Sequence, residues 1–201
     1  MTHDDHEHEH EHDHGHEHRI SYEDAIRQFR AEKDEFFRTA KGSPIPSEER
    51  ASFAGLPYFD VDPELVADDL ALEPYAGTEP TRFEIPTSDG KLRPAERAGV
   101  FHFAIRGTPL TLTGYRFAGG DEESVFLPFL DATSGTETYG TGRYLDLFPE
   151  EDGSWTLDFN LAYHPSCVYD SRFSCPLTPA ENRLRIRIEA GERLPEGDGH
   201  G

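Results

Sequence analysis

The sequence predicts an α+β fold in which an N-terminal helix packs on a mainly antiparallel β-sandwich or barrel of about eight strands. Three observations lead there. Apolar residues follow a helical spacing just after residue 20, the pattern changes beyond Tyr58 to short alternating runs, and turn residues break those runs about every 8–12 positions.

The helix is expected over Ser21–Thr39. Ser21 suits an N-cap, Glu23 and Asp24 suit the positive end of the helix dipole, and Tyr22, Ile26, Phe29, Lys33 and Phe36/Phe37 share one face. Gly42-Ser43-Pro44 and Pro46 then break the chain, and Ser47–Phe53 suggests a short helix closed by Gly55. Strands are expected at Glu64–Glu73, Thr81–Thr87, Gly99–Arg106, Leu110–Phe117, Ser124–Leu130, Arg143–Phe148, Ser154–Leu161 and Arg183–Ala190. Turn residues separate several of them: Ser88-Asp89-Gly90, Arg106-Gly107-Thr108-Pro109, Gly119-Gly120-Asp121 and Asp152-Gly153. Residues 20–193 form one domain on this reading, 1–19 a disordered tail and 194–201 a frayed end.

Charge dominates the composition. Forty acids against 19 bases give −21, and only Lys33, Lys41 and Lys91 are lysines. Without residues 1–19, which hold seven of the acids and Arg19, 33 acids still face 18 bases. Such a surface repels itself in dilute buffer and is relieved by screening salt, which points to a salt-adapted, halophilic setting. It also disfavours nucleic acid and anionic membrane surfaces as partners. The charged N-terminus lacks an apolar run, and nothing approaches the roughly 18 apolar residues of a membrane span, so a cytoplasmic protein is expected. Two cysteines make no disulfide framework, and in a reducing compartment they are expected as thiols.

Several segments carry candidate chemistry. The tail holds His3, His6, His8, His10, His12, His14, His16 and His18, nearly alternating with acids, a flexible supply of imidazoles for zinc, nickel, cobalt or copper. Between 142 and 163, Leu145, Leu147, Leu157, Phe159 and Leu161 share one parity, and Glu151-Asp152-Gly153 fits a three-residue hairpin loop. That register sets Asp146 opposite Asp158 and Tyr144 opposite Asn160. With Arg143 as counter-ion, such a face suits a hard cation or proton transfer, unless it is simply a hydrated acidic sheet. The Gly/Thr-rich loop from Asp131 through Glu137 and Tyr139 to Arg143 could offer N–H groups and a guanidinium to a small polar ligand. His164, Cys167 and Cys175 follow, soft ligands that could hold zinc with a fourth from elsewhere such as His102.

Residues 128–147 (PFLDATSGTETYGTGRYLDL), 157–184 (LDFNLAYHPSCVYDSRFSCPLTPAENRL) and RIEAGER at 187–193, with the earlier KDEFF and FAGLPYF, resemble the prokaryotic family known as domain of unknown function 1684. The resemblance spans roughly Ile20 to Arg193. It implies a discrete cytoplasmic domain and supplies no activity, cofactor or catalytic residue. The family pattern usually reads Tyr-Asn-Pro where this chain has Tyr163-His164-Pro165, so a ligand role for His164 is not a family trait. Three functional classes follow from the residues: a module binding a small polar molecule or metal ion around Asp131–Arg143 and Asn160–Cys175 with Tyr163, a hydrolase using Asp146/Asp158 or His164/Cys167, and an interaction protein without a site.

Overall fold

The computed structural model describes residues 20–195. The eight tail histidines and residues 196–201 lie outside the described residues. Helix α1 covers Tyr22–Thr39, with the Ser21 side chain accepting from Asp24 N–H, as the cap chemistry predicts. Seven strands follow: β1 (Val66–Leu70), β2 (Arg82–Pro86), β3 (Leu92–Ile105), β4 (Thr108–Phe117), β5 (Val125–Phe129), β6 (Arg143–Leu147) and β7 (Trp155–Asp158). They make an antiparallel five-stranded sheet ordered β2-β3-β4-β5-β6 and a two-stranded sheet of β1 with β7. Among the described residues the architecture is therefore mostly β with one α-helix, and the sheets do not close into a barrel.

Local chemistry explains the joins. Arg106 and Gly107 both take positive φ (48° and 76°), the conformation of a two-residue hairpin turn, and pair Ile105 with Thr108. β3 runs longer than expected because its N-terminal half pairs with β2 as its C-terminal half pairs with β4. Pro128 occupies an interior strand without breaking the sheet. β4 and β5 share only the pair Tyr115 and Phe126. Beyond it the side-chain amide of Asn182 fills the gap, accepting from Thr113 N–H and donating to the carbonyls of Thr113 and Pro128. The missing proline N–H thus faces a seam where no ladder bond is required.

The main core lies between the two sheets, with Phe101, Leu112, Leu127, Phe129, Leu157, Phe159 and Ile188 fully buried. Leu145 and Leu147 enter it from β6 and Leu157 from β7, as their parity predicts. The expected strand Arg183–Ala190 is not a strand. It is an irregular segment bonded to Leu130 and Ala132 and buried through Leu184, Ile188 and Ala190. Leu194, expected to fray, donates to Glu137 O at 2.7 Å. The short helix expected at Ser47–Phe53 shrinks to a 3-10 turn at Arg50–Ser52.

Helix α1 does not lie on the main core. Phe37 joins a second apolar cluster with Ile45 and Leu56, and polar contacts tie the rest of the helix down. Tyr22 donates to Asp158 Oδ2 at 2.8 Å, Arg30 to Phe59 O at 2.9 Å, and Asp34 accepts from Leu56 N–H at 2.9 Å.

Candidate functional site

The turn at 150–154 forms as expected. Glu150 N–H donates to Ser154 O at 2.8 Å, Gly153 N–H to Glu150 O at 2.9 Å, and Gly153 takes φ +84°. The hairpin beyond it does not. Asp158 pairs with Val66 of β1, and Asp146 with Phe126 of β5. Asp146 and Asp158 are therefore not cross-strand partners, nor are Tyr144 and Asn160; Tyr144 bridges Tyr163 instead. Shared parity shows that two strands face one core, and two facing sheets meet that condition as well as one hairpin does.

Each carboxylate then finds its own donors. Asp158, nearly buried, accepts from Tyr22 O–H and from Asn160 N–H at 2.9 Å. Asp146 is exposed and accepts from Tyr163 O–H at 2.5 Å. Asn160 is a buried staple: its Oδ1 accepts from Asp62 N–H, and its Nδ2 donates to Tyr22 Oη and Asp62 O.

The loop 131–142 is not an open cradle. The N–H groups of Gly135, Thr136, Glu137, Thr138 and Gly142 all donate within the loop, and that of Tyr139 donates to His164 Nε2 at 3.3 Å. Asp131 is buried and accepts from Thr133 Oγ1 and from Ile188 N–H at 2.6 Å. Glu137 pairs with Arg187. Arg143, wholly buried, donates to the carbonyls of Ile188 (2.7 Å), Glu192 (3.1 Å) and Ala190, with Asp131 3.7 Å away. Burial lowers its pKa to about 10. It pins the C-terminal segment and points no free fork at solvent.

His164, Cys167 and Cys175 do not assemble as ligands of one ion. Among the described residues no three His, Cys, Asp or Glu side chains gather to hold a metal. His102 sits exposed beside Thr111 and Glu73. His164 is buried; its Nε2 accepts from Tyr139 N–H and its Nδ1 lies 3.7 Å from Glu192 Oε2, so neither nitrogen is offered to Cys167 as a general base. Burial, reinforced by Arg143 and Lys33, lowers its pKa to about 3 and keeps the imidazole neutral.

Two residues outside the expected site organise this region. Lys33 Nζ stands 2.7 Å from Glu192 Oε1 as an ion pair, off the line of a hydrogen bond, and 4.7 Å from the centre of the Tyr163 ring. Glu192 Oε2 accepts from His164 N–H at 2.6 Å and Tyr169 O–H at 3.0 Å. Gly191 sets the approach: at φ +72°, a Cβ there would stand 2.4 Å from Ala162 O. Lys33 belongs to KDEFF and Glu192 to RIEAGER, so the resembling segments were the one signal in the sequence that pointed to both.

Above the pair, a trough runs between α1 and the outer face of β6. Its two lobes, about 450 and 400 Å³, share Phe29, Asp146 and Tyr163. Phe29, Phe36 and Phe148 line it and remain 42%, 49% and 58% exposed. The helical spacing groups Phe29 and Phe36 on one face with Tyr22, Ile26, Lys33 and Phe37. In the structure that face turns through Ile26, Arg30, Lys33 and Phe37, leaving the two rings at the rim. Glu32, Glu150 and Asp158 add carboxylates to the walls.

Among the described residues, fold and site together define a mainly β domain of two antiparallel sheets with one α-helix set beside a half-open trough. The chain belongs to the family described as "Protein of unknown function (DUF1684)", which matches residues 51–193. The match begins after α1, so KDEFF lies outside it. A similar fold is seen in the solution NMR structure of an uncharacterized protein of Haloarcula marismortui, 38% identical, with a TM-score of 0.64 over 88% of this chain and 96% of that one. No curated protein matches the chain. Among the described residues no helix is long and apolar enough to cross a membrane.

Proposed function

We propose that this domain is a binding module that takes a small organic amine, aromatic or alkyl, in the trough between α1 and β6. The observation that carries the reading is the set of three exposed phenylalanines around a floor on which Tyr163 is already hydrogen-bonded to Asp146. Exposed rings beside a few fixed polar groups are the usual composition of a ligand pocket. Charge selects the class. Asp146, Asp158, Glu32 and Glu150 border the trough, while the charge of Lys33 is compensated by Glu192. A cation over a phenylalanine face gains a further fraction of a kcal/mol, about 0.5–1 at exposed sites.

The test is a titration of the full-length chain with benzylamine and, separately, benzoate, followed by backbone amide NMR shifts. Benzylamine is expected to move Phe29, Asp146 and Tyr163, with benzoate moving them far less. Equal responses would remove the charge argument, and no response at those three residues would remove the site. Asp146→Asn should weaken the preference for the amine.

A second reading concerns the tail. Eight imidazoles on one segment favour divalent transition metals, zinc, nickel, cobalt or copper. The hydrolase reading gains no support from the geometry of Asp146/Asp158 or of His164/Cys167.

A further inference from the structure

The two cysteines have no part in the trough or in any metal cluster, yet the fold brings them together. Cys167 sits in the 3-10 turn Ser166–Val168, and Cys175 at the end of the exposed bend that follows. Both are free thiols, Cys167 half-buried and Cys175 buried. The Cys167 N–H donates to Cys175 Sγ at 3.3 Å, which sets that sulfur against the backbone of the residue carrying the other thiol. The two thiols also lie within hydrogen-bonding reach of each other, side chain to side chain. Cys175 itself is held firmly, its N–H donating to Ser88 Oγ at 3.0 Å and its carbonyl accepting from Ser88 N–H at 2.8 Å.

We propose that Cys167 and Cys175 form a reversible dithiol/disulfide pair, with the half-buried Cys167 meeting the oxidant and the buried Cys175 resolving it. The oxidant is a low-molecular-weight disulfide. The Cys167 thiolate attacks one of its sulfurs, releasing one small thiol and leaving the other as a mixed disulfide on the protein. Cys175 gives up its proton and attacks the Cys167 sulfur, displacing the second small thiol. Two protein thiols are oxidised, the reagent is reduced to two thiols, and the two protein protons end on them. Exposure orders the steps, since access and thiolate character govern which sulfur reacts first. Burial raises the Cys175 pKa to about 11, which keeps it a thiol until the mixed disulfide lies beside it. The bridge would close the segment carrying Tyr169, whose hydroxyl holds Glu192, and so brace the floor beneath the trough.

The experiment uses the reduced full-length chain with oxidised glutathione. The expected product has lost the mass of two hydrogens and carries no adduct. Trypsin cuts after Arg172, between the cysteines, so the unreduced digest should contain two peptides joined through 167 and 175. Cys175→Ser should stall with one glutathione on Cys167, and Cys167→Ser should react at least about tenfold more slowly. An unchanged mass would overturn the pairing. So would equal rates of bridge formation for the native chain and the chain unfolded in urea, a comparison that needs no variant to fold.

Discussion

Lys33 and Glu192 come from opposite ends of the folded chain and meet with Nζ 2.7 Å from Oε1, the glutamate almost wholly buried. Glu192 also accepts from His164 N–H and Tyr169 O–H, so a single carboxylate joins the helix, the segment after β7 and the last described residues. Removing one member leaves a buried charge alone, which costs about 3–5 kcal/mol, whereas replacing both together costs much less. Lys33→Met is expected to lower stability by an amount in that range in urea unfolding. Adding Glu192→Gln should restore part of the loss. A double variant as unstable as the sum of the singles would show the two residues acting independently.

Arg143 should be intolerant of lysine. Its guanidinium serves three carbonyls at once, and one ammonium cannot span the same fork. Arg143→Lys is expected to cost about 2–4 kcal/mol, from buried carbonyls that one ammonium leaves unsatisfied. The same urea unfolding reads it, and a loss under about 1 kcal/mol would mean that the C-terminal segment is held mainly by Ile188 and Ala190.

His164 gives the protein an acid-sensitive step. Its folded pKa is depressed to about 3, below the ordinary value of 6.5, so between those pH values the unfolded chain binds a proton that the folded chain does not. Stability is then full above pH 6.5 and falls as the pH drops through that window, by up to about 1.4 kcal/mol per pH unit. His164→Asn keeps an acceptor for Tyr139 N–H and removes the titration. The variant should show a flatter stability profile between pH 6 and pH 4, and an unchanged profile would assign the acid sensitivity to carboxylates.

Metal binding should follow the tail. In calorimetric titration with nickel, the full chain is expected to bind at micromolar concentration or tighter, and a chain with all eight tail histidines changed to alanine should lose that heat. Retained stoichiometric binding would place ligands in the folded domain, where the described residues offer no cluster of three.

High salt should stabilise the fold. With a net charge of −21, screening relieves self-repulsion, and the melting temperature is expected to rise from 0.1 to 2 M potassium chloride. A flat response would show that the surface acids are already compensated locally, as Glu137 is by Arg187.

By itself the sequence determined what depends on neighbours in the chain. Ser21 with Asp24 fixed the start of α1, Arg106-Gly107 and Gly153 fixed their turns, and the parity of Leu145, Leu147, Leu157 and Phe159 fixed which side of each strand is buried. Parity carries no information on which strand is the neighbour, so the Asp146/Asp158 juxtaposition failed when β1 rather than β6 paired with β7. Periodicity puts Tyr22, Ile26, Phe29, Lys33 and Phe36/Phe37 on one face; Tyr22, Ile26, Lys33 and Phe37 do turn to the fold, while anchors at Arg30 and Asp34 leave Phe29 and Phe36 at its rim, a rotation settled by distant partners. Only the tertiary structure decided the Lys33–Glu192 pair, the Asn182 staple and the contact between Cys167 and Cys175. The reason is physical: a hydrogen bond or ion pair across the fold depends on the path of every segment between its partners, which no local pattern encodes.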